Sequence, residues 1–152
     1  APLAGCGFEL RQTPQMPFSA LAVVGFDARS PLAAELQRAL AGHVRWVEVP
    51  ENADVVLHVL ADSRERSVVA STAAAQVRQL QLRLRFRFRL DDAAGRELAP
   101  PTELLLARDM NYSETSALAK AQEEEQLFAA MQAEIVHQVV RRLAQLRPTR
   151  AG

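Results

Sequence analysis

Four arginines occupy every second position between residues 83 and 89: Arg83, Arg85, Arg87 and Arg89. Leu82, Leu84, Phe86 and Phe88 alternate with them, and the alternation of apolar and polar residues runs unbroken from Leu80 to Leu90. Such a period puts successive side chains on opposite faces of a β-strand, with neighbours on one face ~6.5–7 Å apart. The four guanidinium groups would then form a row ~20 Å long. A guanidinium stays charged at any ordinary pH, and its fork matches phosphate and carboxylate oxygens in bidentate fashion. Arg78 precedes the row, and no acidic residue lies between it and Leu90. Arg78, Arg83, Arg85, Arg87 and Arg89 are therefore candidate contacts for a phosphate-bearing ligand or an acidic partner surface. Two blander arrangements fit the same pattern. One is a solvated face whose charge deters edge pairing. The other is pairing with cross-strand acids such as Glu103 or Asp109.

Other chemistry is sparse. Cys6 is the single cysteine, which excludes an intramolecular disulfide and a multi-cysteine zinc site. His43, His58 and His137 are far apart in sequence and lack ligand spacing, so neither metal nor catalysis is assigned to them. No G-x-S-x-G, H-E-x-x-H or phosphate-binding glycine loop occurs. The expectation is a non-enzyme without metal or cofactor. Glu123, Glu124 and Glu125 read as a solvated helix face, Asp91 and Asp92 as turn chemistry, and Phe26 and Trp46 as core. Equal numbers of basic and acidic residues, 18 each, argue against a nucleic-acid partner. No apolar run approaches the ~18 residues of a spanning helix, so a tie to a membrane would be a lipid, an amphipathic face or a partner.

The elements that must position the arginine row can be read from punctuation and period. Leu21–Phe26 is a short apolar run between turn signals, a buried strand. Ser30-Pro31 opens a helix, since serine caps free amides and proline at the first helical position loses no hydrogen bond. Leu32, Leu36 and Leu40 form its apolar stripe, and Gly42 ends it. Val44–Val49 is a possible short strand, and Val55–Leu60 a β-rich segment that turns charged at Asp62–Arg66. Residues 77–109 read as a long hairpin turning at Asp91–Gly95, with Pro100 and Pro101 confined to an edge or bulge. A long helix from about Ser113 to Leu146 carries Phe128, Met131, Ile135, Val139, Leu143 and Leu146 on one stripe, and Pro148 ends it. The fold class expected is α+β: a two-layer sandwich with two helices on one face of a mostly antiparallel, mixed four-stranded sheet. It forms one domain over residues 18–148, after a lead-in at 6–17 and before a frayed tail at 149–152.

Leu3-Ala4-Gly5-Cys6 resembles the lipobox of bacterial lipoproteins. Cys6-Gly7-Phe8-Glu9-Leu10-Arg11 in turn resembles the mature start of the LptE family. Leu90–Leu98 is similar to that family's hairpin turn, Glu103–Tyr112 to the strand that follows, and Glu123–Leu143 to its carboxy-terminal helix. The resemblance implies that Cys6 is the first mature residue and carries covalent acyl chains, with residues 1–5 left from a signal peptide. Gly7, in place of an aspartate, favours the outer membrane over the inner. By the same resemblance the partners are the LptD β-barrel, which the protein would plug in a one-to-one complex and help to assemble, and lipopolysaccharide. The arginine row would then meet phosphates of lipopolysaccharide or acidic groups on the barrel's inner wall. The alternative is an auxiliary or lipid-carrier lipoprotein of another envelope transport system. A carrier needs apolar residues left over from the core, and the clean alternation leaves few.

Overall fold

A computed structural model describes residues 14–72, 74, 77–113 and 116–147. Its elements in chain order are β1 (Ala20–Val24), α1 (Pro31–Leu40), β2 (Arg45–Val47), a single 3₁₀ turn (Pro50–Asn52), β3 (Val55–Ser71), β4 (Val77–Asp91), β5 (Glu97–Ser113) and α2 (Ala117–Ala144). The strands form one sheet in the order β2-β1-β3-β4-β5. β1 runs parallel to both β2 and β3, and the β3-β4-β5 meander is antiparallel. The expected α+β class and mixed sheet hold, but the sheet has five strands, not four. The additional strand is β2, three residues long and only partly buried, which is too short to show a period in the sequence.

Local chemistry sets the boundaries. Ser30 caps α1, its Oγ accepting from Ala33 N at 3.2 Å while donating to Asp62 Oδ2 at 2.6 Å, which ties the helix start to β3. Leu32, Leu36 and Leu40 are all buried. β1 stops at Gly25, where φ is +102° and a Cβ would lie 2.6 Å from the carbonyl oxygen of Val59. Only glycine meets both demands. At the far side of the sheet, Asp92 Oδ1 accepts from Ala94 N at 2.9 Å and Arg96 N at 2.8 Å, closing the β4–β5 turn. Because β5 is an edge strand, it accommodates Pro100 and Pro101 within its length.

β3 is much longer than the Val55–Leu60 core of the sequence pattern. Its first residues lie between β1 and β4, but beyond His58 it has β4 alone as a neighbour. Edge position explains why its second half reads as charged rather than apolar. One layer of the sandwich is this sheet. The other is α1 and α2, which pack together and against one sheet face. Leu80, Leu82, Leu84, Phe86, Phe88 and Leu90 of β4 meet Phe128, Met131, Ile135, Val139 and Leu143 of α2 in the main core. Phe86 stacks on Phe88 at 5.2 Å and on Phe26 at 5.7 Å. A smaller cluster of Ala22, Ala53 and Vals 47, 56 and 24 lies apart from it.

Candidate functional site

With the even-numbered residues of β4 packed on the helices, its odd-numbered residues project from the opposite, helix-free face of the sheet. Arg83, Arg85, Arg87 and Arg89 are therefore brought together as the sequence predicts. Arg78 is not. It pairs with Tyr112 in step with the buried pair Leu80–Met110, which puts it on the helix side. Cys6, the expected lipidation site, lies outside the described residues.

The strand register names the row's neighbours. Arg83 lies between Glu65 of β3 and Ala107 of β5; Arg85 between Ser63 and Leu105; Arg87 between Ala61 and Glu103; Arg89 beside His58. Charge is distributed unevenly among them. Arg85 Nε is 3.0 Å from Glu103 Oε1, although its N–H is not aligned for a hydrogen bond. Arg89 Nε donates to Asp91 Oδ2 at 3.2 Å, and His58 Nε2 lies 3.1 Å from the same oxygen. Asp91 is 6% exposed, so the lower end of the row is anchored by a buried carboxylate. Arg83 and Arg87 have no carboxylate partner among the described residues. The Nε of Arg83 is moreover buried without an acceptor. A buried donor left unmade costs free energy that an incoming acceptor would recover.

The His58–Asp91 contact is not legible in the sequence, because it depends on how β3 registers against β4. It also missed a second set of arginines. Arg64 and Arg66 point from β3 towards α2. Arg64 Nη2 donates to Gln132 Oε1 at 2.9 Å and the guanidinium lies 5.0 Å from the Phe128 ring centroid. Arg66 Nε is 3.2 Å from Glu124 Oε1, and its guanidinium lies 5.6 Å from the Tyr112 ring. Glu123 pairs with Lys120 at 2.9 Å, and Glu125 is 3.9 Å from Arg64. Glu124 is therefore a docking contact for β3, while Glu123 and Glu125 remain a largely solvated face. The one available signal was the match between an acidic run on a helix and Arg-x-Arg on a strand.

Among the described residues no group of histidine, cysteine, aspartate and glutamate could hold a metal ion, and no helix is long and apolar enough to cross a membrane. What the arrangement can do is bind anions: a sheet face that neither α1 nor α2 covers carries two guanidinium groups without carboxylate partners among the described residues, on alternate rungs.

Comparison with known proteins places the chain. A search of curated protein sequences returns no match. Among solved structures, the chain is similar to an uncharacterized lipoprotein B from Nitrosomonas europaea, with 30% identity over 91% of this chain and 90% of that one and a TM-score of 0.76. A rare lipoprotein B from Shewanella oneidensis (24% identity, 83% and 94% covered, TM-score 0.69) and a minor lipoprotein from Acinetobacter baumannii (20% identity, 89% and 98% covered, TM-score 0.69) share the fold. The family profile described as LptE, lipopolysaccharide-assembly, matches residues 18–143. With all five strands, α1 and all but the last residue of α2 inside that match, the chain belongs to the LptE family of lipopolysaccharide-assembly lipoproteins, which are not enzymes and use no cofactor.

Proposed function

We propose that this protein is an outer-membrane lipoprotein, anchored on the periplasmic side through acylated Cys6, that plugs the LptD β-barrel in a one-to-one complex, helps it to assemble and binds lipopolysaccharide during delivery. The helix-free sheet face is its contact surface. The observation that carries this reading is the pair Arg83 and Arg87, charged and without carboxylate partners on a face no helix covers, with a buried Nε of Arg83 still lacking an acceptor. Phosphate groups of lipopolysaccharide satisfy both demands at once, because a phosphate accepts from the fork and from Nε. Arg85 and Arg89, already beside Glu103 and Asp91, extend the positive potential without each needing a ligand of its own.

Binding of the unlipidated chain to purified lipopolysaccharide tests this. R83Q/R87Q lowers affinity at least tenfold and flattens the salt dependence, while R85Q alone changes affinity by less than threefold; each charge-assisted contact contributes about 1.5–3 kcal/mol. If the folded R83Q/R87Q chain binds as wild type does, the face is not the lipopolysaccharide contact. Co-purification of the same variant with the barrel then decides whether it is the barrel contact.

A further inference from the structure

The two ends of the sheet differ in what they carry. β1 and β3 both start at one end, where Leu21 pairs with Val55 and Val56 with Asp91. β4 ends there, β5 begins there, and α2, which follows β5, returns there with its last turns. The chain therefore joins the sheet at the same end at which α2 finishes. At this end a recess of about 310 Å³ opens between α2 and the start of β5. Its apolar part is formed by Phe88, Leu90, Leu98 and Leu146, and its charged part by Arg142 and Arg147. Arg142 also lines a smaller recess of about 150 Å³ together with Arg141.

None of these three arginines has a carboxylate partner among the described residues. No acidic residue follows Glu134 along the chain, so α2 supplies nothing to neutralise them. The nearby acids belong to the β4–β5 turn. Asp92 is occupied by the amides of Ala94 and Arg96, and Glu97 makes no ion pair with Arg141, Arg142 or Arg147. Helix-terminal carbonyls take up part of the arginine charge, but three cations on two turns exceed the half-charge of a helix end.

An apolar hollow with cations at its rim is complementary to an anionic amphiphile. Cys6 is twelve residues upstream of Phe18, a tether of at most ~40 Å when fully extended. Provided Cys6 carries the lipid anchor as proposed above, this end of the domain is the one held near the membrane. We infer that the recess takes an anionic phospholipid of that membrane, its headgroup phosphate between Arg142 and Arg147 and its first methylenes on Leu98 and Leu146. The anchor then holds the protein to the membrane, and the recess orients it, with the arginine row of β4 running from Arg89 at the bilayer end away towards Arg83.

The test uses the full chain with Cys6→Ser, so that no acyl chain contributes, and vesicles of phosphatidylglycerol with phosphatidylcholine at physiological ionic strength. Wild-type recess residues give sedimentation with these vesicles and none with pure phosphatidylcholine. An arginine near an anionic surface contributes roughly a factor of five, so R142Q/R147Q reduces binding about twentyfold, and L146N weakens it further while the thermal melt stays unchanged. R83Q/R87Q sediments as wild type, and R142Q/R147Q keeps its lipopolysaccharide affinity, which separates this site from the sheet face. Unchanged sedimentation of folded R142Q/R147Q overturns the inference. So does absence of sedimentation by the Cys6→Ser chain itself, or displacement by millimolar inorganic phosphate, which would reduce the recess to a simple anion site.

Discussion

Two pairs of arginines on adjacent strands meet opposite fates. Arg64 and Arg66 of β3 lie under α2, each over an aromatic ring and beside a glutamate. Arg83 and Arg87 of β4 lie on the other face without carboxylate partners. Both pairs sit two residues apart in strands rich in charge, so composition does not distinguish them. A bulge does. β3 pairs with β4 regularly through Val59–Phe88, then skips Leu60, and resumes at Ala61–Arg87. One extra residue reverses the faces of everything that follows on that strand. Before Leu60 the even-numbered residues of β3 share the open face with the arginine row. From Ala61 to the second shift after Val68 the odd-numbered residues do, and Arg64 and Arg66 turn to the helices. The fold spends two arginines on packing and keeps two free by the placement of a single residue.

Deleting Leu60 and Ala61 together is the most drastic way to break this division, because removing Leu60 alone restores regular pairing with Arg64 still opposite Leu84. With both gone, regular pairing from Val59–Phe88 would carry Arg64 and Arg66 to the open face and push Ser63 and Glu65 under α2. Gln132, which is 8% exposed, would lose the donor to its Oε1, and Phe128 and Tyr112 would lose their cations. The summed loss is on the order of 5 kcal/mol. The expected outcome is loss of the cooperative unfolding transition, read by near-ultraviolet circular dichroism in a urea titration. A chain that still unfolds cooperatively within about 1 kcal/mol of wild type would mean that the bulge does not govern the division.

Arg64→Ala probes one member of the helix-side pair without moving the register. It leaves Gln132 Oε1 without its donor, while Gln132 Nε2 keeps Glu35 Oε2 at 2.6 Å and the Pro31 carbonyl at 3.3 Å. A buried acceptor left unmade costs about 1–3 kcal/mol. Arg83→Ala, on the open face, should cost less than about 0.5 kcal/mol or stabilise slightly, since it removes an unsatisfied donor. Paired denaturation curves measure the difference directly. Equal costs would show that the two faces are energetically alike.

This division also marks how far the sequence could be read. The alternation from Leu80 to Leu90 placed the four arginines on one face because a central strand has to keep its period wherever one face is buried. Ser30-Pro31 and the leucines of α1 were legible because caps and helical stripes are local chemistry. Arg64, Arg66 and the His58–Asp91 contact were not, because a bulge at an ordinary leucine leaves no composition signal and cross-strand partners depend on register. β2 reads as a possible strand without a place in the sheet, since its three residues gain that place only by pairing with Ala20, Leu21 and Ala22 of β1. Arg78 is near the row in sequence, but the period of two sets it on the opposite face.

The smallest effect bears on how many arginines the open face has left to offer. Arg85 and Glu103 are both about half exposed, at 40% and 46% of their side-chain surface, and the 3.0 Å contact between them is not aligned as a hydrogen bond. Solvent screens such a pair, so a double-mutant cycle with R85Q and E103Q should return a coupling of ~0.2–1 kcal/mol, towards the lower end and fading with added salt. A coupling of a few tenths leaves the Arg85 guanidinium free to add its charge to the field around a phosphate held by Arg83 and Arg87, in keeping with the less than threefold effect of R85Q. A salt-insensitive coupling well above 1 kcal/mol would commit Arg85 to its neighbour. The face would then act through Arg83 and Arg87 alone, ~13 Å apart along the strand, and would favour a ligand whose anionic groups are similarly separated.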